Sequence, residues 1–242
     1  DLWRMGEFTS EDVCCVGYPK SGNTWMQHIV AGLAYGINGS IASHELINTV
    51  VPDIHAYGYY RRINTPMFFK THSVPVSAYR RVIYVVRDPR DVFVSYYYWL
   101  KRTEGSITSF FDLISSEKRL PYGHWHEHVE QWLRNPFNSS MLLIKYEDLK
   151  KQPTVALKRI CSFLSLERDN ETIERVIDNC VFEKMQAKEK KGFRHPTAKL
   201  AHPEMPFFRS GKSGAYRQEL PDLVEKRIVD RSKATMKKIG YL

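Results

Sequence analysis

The sequence contains no run of about 18 apolar residues, the length a membrane-spanning helix needs; its longest strongly apolar stretch is Val82 to Val86. A spanning segment is excluded on that ground. Cysteine is scarce, four in 242 residues, and its spacing excludes two common uses. Cys14 and Cys15 are adjacent, which no ordinary disulfide joins, and no CxxC pair offers itself to zinc, so buried free thiols are expected. Residues 1–12 are polar and lack the apolar core of a secretory leader, from which a cytoplasmic protein is expected. The 13 Gly and 12 Pro are scattered, no internal repeat is visible, and 43% of residues are hydrophobic, so disordered, collagen-like and low-complexity classes do not fit.

What the chain does carry in excess is positive charge. Lys and Arg number 36 against 27 Asp and Glu, a formal charge of +9. A polyanion, an anionic small molecule or an acidic surface could balance it, and so could solvent, so the positions of the charges must decide.

Val13 to Gly17 is a short apolar run ending in glycine, and Trp25, Ile29 and Leu33 then recur at helical spacing, which reads as strand, loop, helix. Met67 to Phe69, Arg81 to Val86 and Met141 to Ile144 read as further buried strands. After the second of these, Asp88 can cap a helix, Pro89 suits its first position and Asp91 complements its N-terminus, so a helix is expected to about Leu100. Helices are also expected over 125–133, 153–164 and 171–179, and a basic one from Pro221, placed at its first position, to about Lys238. Residues 183–220 show no sustained period and are expected to form a long functional loop or lid. The pattern predicts an α/β fold: a single domain over residues 1–242, with a central, mostly parallel sheet and helices on both faces.

Gly17-Tyr-Pro-Lys-Ser-Gly22-Asn-Thr24 sits between that first strand and helix, where a phosphate-binding loop belongs. Its glycines let backbone N–H groups converge on an anion at a helix N-terminus, which itself contributes roughly half a positive charge. Asn23 stands where nucleotide hydrolases place lysine, and the lysine lies inside the loop as Lys20. The strand Val82 to Val86 ends in Arg87 and lacks the carboxylate that would hold Mg²⁺, which weakens a kinase or ATPase reading. A second anion site at Arg87 implies a ligand with two separated anionic groups, and no metal-binding residues are assigned.

Taken in order, these segments resemble the cytosolic-type sulfotransferases, which use 3′-phosphoadenosine 5′-phosphosulfate (PAPS). Tyr18-Pro-Lys-Ser-Gly-Asn-Thr-Trp25 is similar to their 5′-phosphosulfate loop, and Arg87-Asp-Pro-Arg-Asp-Val-Phe-Val-Ser95 to their 3′-phosphate segment. Lys70-Thr-His72 is similar to their base-bearing turn, Tyr146-Glu-Asp-Leu149 to an adenine-side strand end, and Phe208-Arg-Ser-Gly-Lys-Ser-Gly214 to their C-terminal loop. The resemblance implies a P-loop-like scaffold and metal-free, in-line transfer of a sulfuryl group from PAPS to a hydroxyl, or an amine, of a small molecule, with PAP as product. It places Lys20 on the bridging oxygen, with Ser21, Gly22, Asn23 and Thr24 on the 5′-phosphate. Arg87, Ser95, Arg209 and the backbone of Gly211 fall on the 3′-phosphate, in the loop that also carries Phe208 and Ser210. Trp25 and Phe182 would sandwich the adenine, with Tyr146 at its edge and Cys180 where the family often has Thr. Asn23 also replaces a usual Thr, and Ser210 a frequent Lys.

Residues two apart on an extended chain face the same way, so Lys70 and His72 are expected to project together, with Thr71 turned elsewhere. His72 is the candidate general base, and Lys70 would steady the sulfuryl oxygens. The acceptor could meet Tyr57, Tyr59, Tyr60, Trp99 and Phe110, or the polar Glu45, Asp53 and His55, with further wall from 193–207. The competing readings are a small-molecule kinase, a non-catalytic nucleotide or polyanion binder and a nucleic-acid binder. The last is disfavoured because the basic residues map onto anion loops. No membrane partner is expected, and no dimer pattern is recognisable.

Overall fold

Each predicted apolar run does become a strand in the computed structural model, which describes residues 1–115, 119–190 and 200–242. Strands β2 (Val13–Val16), β4 (Phe68–Thr71), β5 (Arg81–Val86) and β6 (Ser140–Lys145) form one parallel sheet in the order β4-β2-β5-β6. Alternate residues feed opposite faces, as the two-residue strand period requires. Cys14, Val16, Val82 and Tyr84 enter a core with α3 (Pro89–Glu104), α5 (Trp125–Arg134) and α11 (Asp222–Lys238). Cys15, Ile83, Val85 and Ile144 face α1 (Asn23–Tyr35), α7 (Pro153–Leu164) and α8 (Asn170–Asn179) on the other side. All four cysteines are free and buried.

Because the strands run the same way, their C-terminal ends share one edge, and the chain crosses from one flank of β2 to the other between β4 and β5. That is the switch point at which α/β sheets open a crevice. Gly17 comes directly after β2, His72 after β4, Arg87 after β5 and Tyr146 after β6. The Asp88 carboxylate caps α3 by accepting from Arg90 N–H at 2.9 Å, with Pro89 in the first turn, so that helix starts as expected and runs four residues further, to Glu104.

Several expectations need correction. β6 is an edge strand in which Ile144 alone is buried, since it has a neighbour on one side only. The segment expected to be irregular from 183 begins with a helix, α9 (Phe182–Lys190), whose charges surround it and hide its period; it buries Met185 and Lys188. Residues 191–199 lie outside the described residues. Pro221 is the N-cap of α11 and not its first helical residue. Unforeseen are the two-stranded antiparallel sheet of β1 (Leu2–Arg4) and β3 (Tyr59–Arg61), and the helices α2 (His44–Val50), α4 (Phe110–Ser115), α6 (Tyr146–Lys151) and α10 (Tyr216–Glu219).

The late segment is strapped across the sheet edge at two places. Glu189 accepts from the backbone N–H groups of Phe207 and Phe208 at 2.5 and 2.9 Å. Asp91, 2% exposed on α3, accepts from those of Gly214 and Tyr216 at 2.6 and 3.1 Å. Asp91→Ala leaves two backbone donors unpaired and should cost about 2 kcal/mol of stability, read as a lower urea midpoint with unchanged slope. An unshifted midpoint would show that the strap is held elsewhere.

Candidate active site

The loop after β2 turns so tightly that two of its residues adopt the left-handed region: Lys20 at φ 70° and Gly22 at φ 105°. Only glycine fits the second position, because a Cβ there would lie 2.8 Å from the Tyr146 ring. α1 then starts at Asn23 with no side-chain cap, which leaves its first-turn N–H groups without an intrahelical partner. These groups and the partial charge they carry are suited to an anion.

Lys20 stands over the Phe207 ring at 4.4 Å and the Trp99 ring at 5.8 Å. Burial, and then the charges of Lys70, Arg102 and Arg87, bring its ammonium down to about 7. Lys70 is the better compensated cation, with Asp53 Oδ2 at 2.7 Å. Burial would raise the Asp53 carboxyl, but the charge and hydrogen bond of Lys70 hold it below the usual carboxylate range.

Lys70 and His72 both face one cavity, and Thr71 turns to Ser73 and His55, as strand alternation requires. Two histidines hold His72 by its backbone. His72 N–H donates to His55 Nε2 at 3.1 Å, which places the proton of neutral His55 on Nδ1. The fully buried His128 donates from Nε2 to His72 O at 3.0 Å while its Nδ1 accepts from Tyr84 OH at 2.9 Å. The His72 ring is nearly parallel to that of His55, 6.0 Å away, and Tyr122 packs on both. Burial, and next the charge of Lys70, hold the His72 imidazole well below its usual range, so it is neutral at physiological pH.

On the other side of β2, the Arg87 guanidinium donates to Lys20 O at 3.3 Å and Lys212 O at 2.9 Å and lies 4.4 Å from the Tyr146 ring centre. Its Nε and the Trp25 Nε1 are buried donors with no partner among the described residues, which suits a ligand rich in acceptor atoms. Trp25 meets Tyr146 edge to face at 5.3 Å. Phe182 packs so closely on Gly211 that a Cβ there would lie 2.3 Å from its ring. Arg209 pairs with Glu219 at 2.9 Å over the Tyr98 ring. Burial pushes the Cys180 thiol up to about 12, so it is a weak donor and not a thiolate.

A cavity of about 660 Å³ is lined by every site residue expected from the sequence except Ser21, which is wholly buried under the loop with its hydroxyl unpaired among the described residues. The acceptor candidates divide. Trp99, Asp53 and His55 line the cavity, but Asp53 is taken by Lys70 and is not free to receive a cation. Tyr57 and Tyr59 are exposed, Glu45 is exposed on α2, Tyr60 is buried with its hydroxyl on Glu7 O, and Phe110 packs on Tyr97. Of the expected 193–207 wall, Phe207 lines the cavity, while residues 193–199 lie outside the described residues. Sequence reasoning missed Tyr96, Pro121 and Tyr122 on the cavity wall, the His55 and His128 props, and Lys150, whose Nζ donates to Gly211 O at 2.5 Å. No local motif marks them.

Comparison with known proteins points one way. A family model described as a sulfotransferase domain matches residues 10–240. The chain is similar to mouse sulfotransferase 1B1, 29% identical over 88% of this chain and 79% of that protein, and to mouse sulfotransferase 1E1, 25% identical over 94% and 84%. Its fold is similar to those of mouse sulfotransferase SULT7A1 solved with PAP (TM-score 0.71, 20% identity, 96% of this chain and 86% of that one) and of retinol dehydratase solved with androsterone and PAP (TM-score 0.70, 22% identity, 96% and 82%).

Proposed function

The chain belongs to the sulfotransferase family and moves a sulfuryl group from PAPS to a small-molecule acceptor, with PAP as product; on that premise we propose how its residues divide the work. PAPS supplies the activated sulfuryl group. Backbone N–H groups of Lys20, Gly22, Asn23 and Thr24 hold the 5′-phosphate, while Ser21, whose N–H donates to Tyr18 O at 3.1 Å, supports the turn from beneath. Lys20 meets the bridging oxygen, where negative charge grows as the bond breaks. Arg87 and Ser95 take the 3′-phosphate, joined by Arg209 and Gly211 from the late segment, which closes over the nucleotide. Trp25 and Phe182 flank the adenine. His72 removes the acceptor's hydroxyl proton through Nε2, and Lys70 steadies the sulfuryl oxygens.

One observation carries this reading: the Lys20 loop, Arg87 and His72 arise at the ends of three adjacent strands and line one cavity. The acceptor end of that cavity is walled by Tyr96, Trp99, Pro121, Tyr122 and Phe207, which favours a flat apolar alcohol or phenol over a polar one.

Incubation with PAPS and a panel of phenols, steroids and aliphatic alcohols should release PAP, and EDTA should leave the rate unchanged. His72→Ala should lower turnover by about 10² to 10⁴, the usual contribution of a general base, with little change in PAP affinity. A variant that kept most of its turnover would remove His72 from this role. The lowered Lys20 gives a pH dependence with a defined sign. Below pH 7 its ammonium is already formed; above it, a bound anion must draw a proton onto it. PAP affinity should therefore fall as pH rises above 7, and calorimetry at pH 8 in two buffers of different ionisation heat should show proton uptake. Binding without uptake would mean that Lys20 is charged throughout.

A further inference from the structure

The lysines and arginines that line the cavity are Lys20, Lys70, Arg87, Lys150 and Arg209. Two of them are neutralised within the protein, Lys70 by Asp53 at 2.7 Å and Arg209 by Glu219 at 2.9 Å. Glu183, the other carboxylate on the cavity wall besides Asp53, pairs with none of them among the described residues. Lys20, Arg87 and Lys150 are therefore left without a carboxylate partner among the described residues, and a cleft that gathers charge of one sign attracts the opposite sign.

The three are divided between the two ends of the site. Lys20 belongs to the loop after β2, whereas Arg87 follows β5 and Lys150 lies on α6. Yet Arg87 and Lys150 meet adjacent residues of the late segment. Arg87 Nη2 donates to Lys212 O at 2.9 Å, and Lys150 Nζ donates to Gly211 O at 2.5 Å. Tyr146 touches the same group: its hydroxyl donates to Gly211 O at 3.3 Å, and its ring centre is 4.4 Å from the guanidinium carbon of Arg87. The late segment brings no such charge of its own at this point, since Ser210 is neutral and the exposed Lys212 does not line the cavity.

A carbonyl oxygen satisfies one N–H and leaves the positive charge in place. The Lys150 ammonium has three donors, of which Gly211 O takes one, and Arg87 keeps its buried Nε without a partner among the described residues. Two cations in this state at one turn match a phosphate monoester, which carries about two negative charges at neutral pH.

We propose that Lys150 is a second cation for the 3′-phosphate, acting with Arg87, and so helps select a nucleotide that carries that phosphate over one that ends in a 3′-hydroxyl. The role rests on Arg87 marking the 3′-phosphate end of the site. Lys150 also tethers the late segment through Gly211 O, and charge and tether are separable by substitution.

Equilibrium binding of PAP and of adenosine 5′-monophosphate to the full chain with Lys150→Ala, Lys150→Gln or Lys150→Arg provides the test. Lys150 is exposed on α6, so its truncation leaves the core packing intact. Lys150→Ala and Lys150→Gln should each weaken PAP by about three- to tenfold, the scale of one solvent-accessible charged contact, and leave the 5′-monophosphate within about twofold. Lys150→Arg, which keeps the charge, should stay within about twofold for both. A Lys150→Gln that binds PAP as the wild type does would reduce the residue to a neutral tether and overturn the proposal. Equal weakening of the two ligands by Lys150→Ala, or of neither, would overturn it too. Arg87→Ala measured alongside keeps two failures apart: if it weakens both ligands equally, the 3′-phosphate reading itself fails, and if it weakens PAP alone while Lys150→Ala is silent, only the role of Lys150 fails.

Discussion

Four parallel strands end on one edge of the sheet, and each end leads into a different chemical group: an anion loop after β2, an imidazole after β4, a guanidinium after β5 and an aromatic ring after β6. Parallel pairing makes this unavoidable, since strands in register deliver their C-termini together. The hydrophobic alternation that buries Cys14 and Cys15 on opposite faces is therefore also what sets the spacing between Lys20, His72 and Arg87. Helices on both faces hold the strands, and the site inherits its rigidity from that packing.

The electrostatics arise from crowding cations at that edge. Lys70, Arg102 and Arg87 act on Lys20 in a buried setting, where like charges are costly. Asp53 relieves Lys70, and Lys20 responds by giving up part of its hold on a proton. A ligand with several negative charges removes the strain, so the same arrangement that is unfavourable in the free protein favours the nucleotide. His72 is neutral for the related reason that burial and Lys70 oppose its charge. On the proposed roles, the lysine that would steady the sulfuryl group also keeps the neighbouring imidazole neutral.

The parts of the site legible in the sequence are those in which neighbouring residues do the chemistry. The Gly17 to Thr24 loop, the Asp88-Pro89 helix start and the Lys70-Thr-His72 alternation are short-range facts of backbone geometry. What stayed hidden depends on distant partners. His128 props His72 from 56 residues away and Asp53 neutralises Lys70 from 17 away, and neither sits in a pattern. Tyr57, Tyr59 and Tyr60 looked alike in sequence, yet Tyr60 is buried and the other two are exposed. Helix α9 was missed because its buried positions are Met185 and Lys188, too few and too mixed to show a period. Asn23 was legible as a loop residue, whereas its contact with His72 needed β2 and β4 to be placed side by side.

On the proposed roles, one nucleotide is gripped at one end by the Lys20 loop and at the other by Arg87. Equilibrium binding of PAP and of adenosine 5′-monophosphate to the wild type and to Arg87→Ala tests it most directly. Losing the guanidinium should weaken PAP by tenfold or more, as loss of a charge-assisted phosphate contact does, and leave the 5′-monophosphate nearly untouched. Equal weakening of both ligands, or of neither, would contradict it.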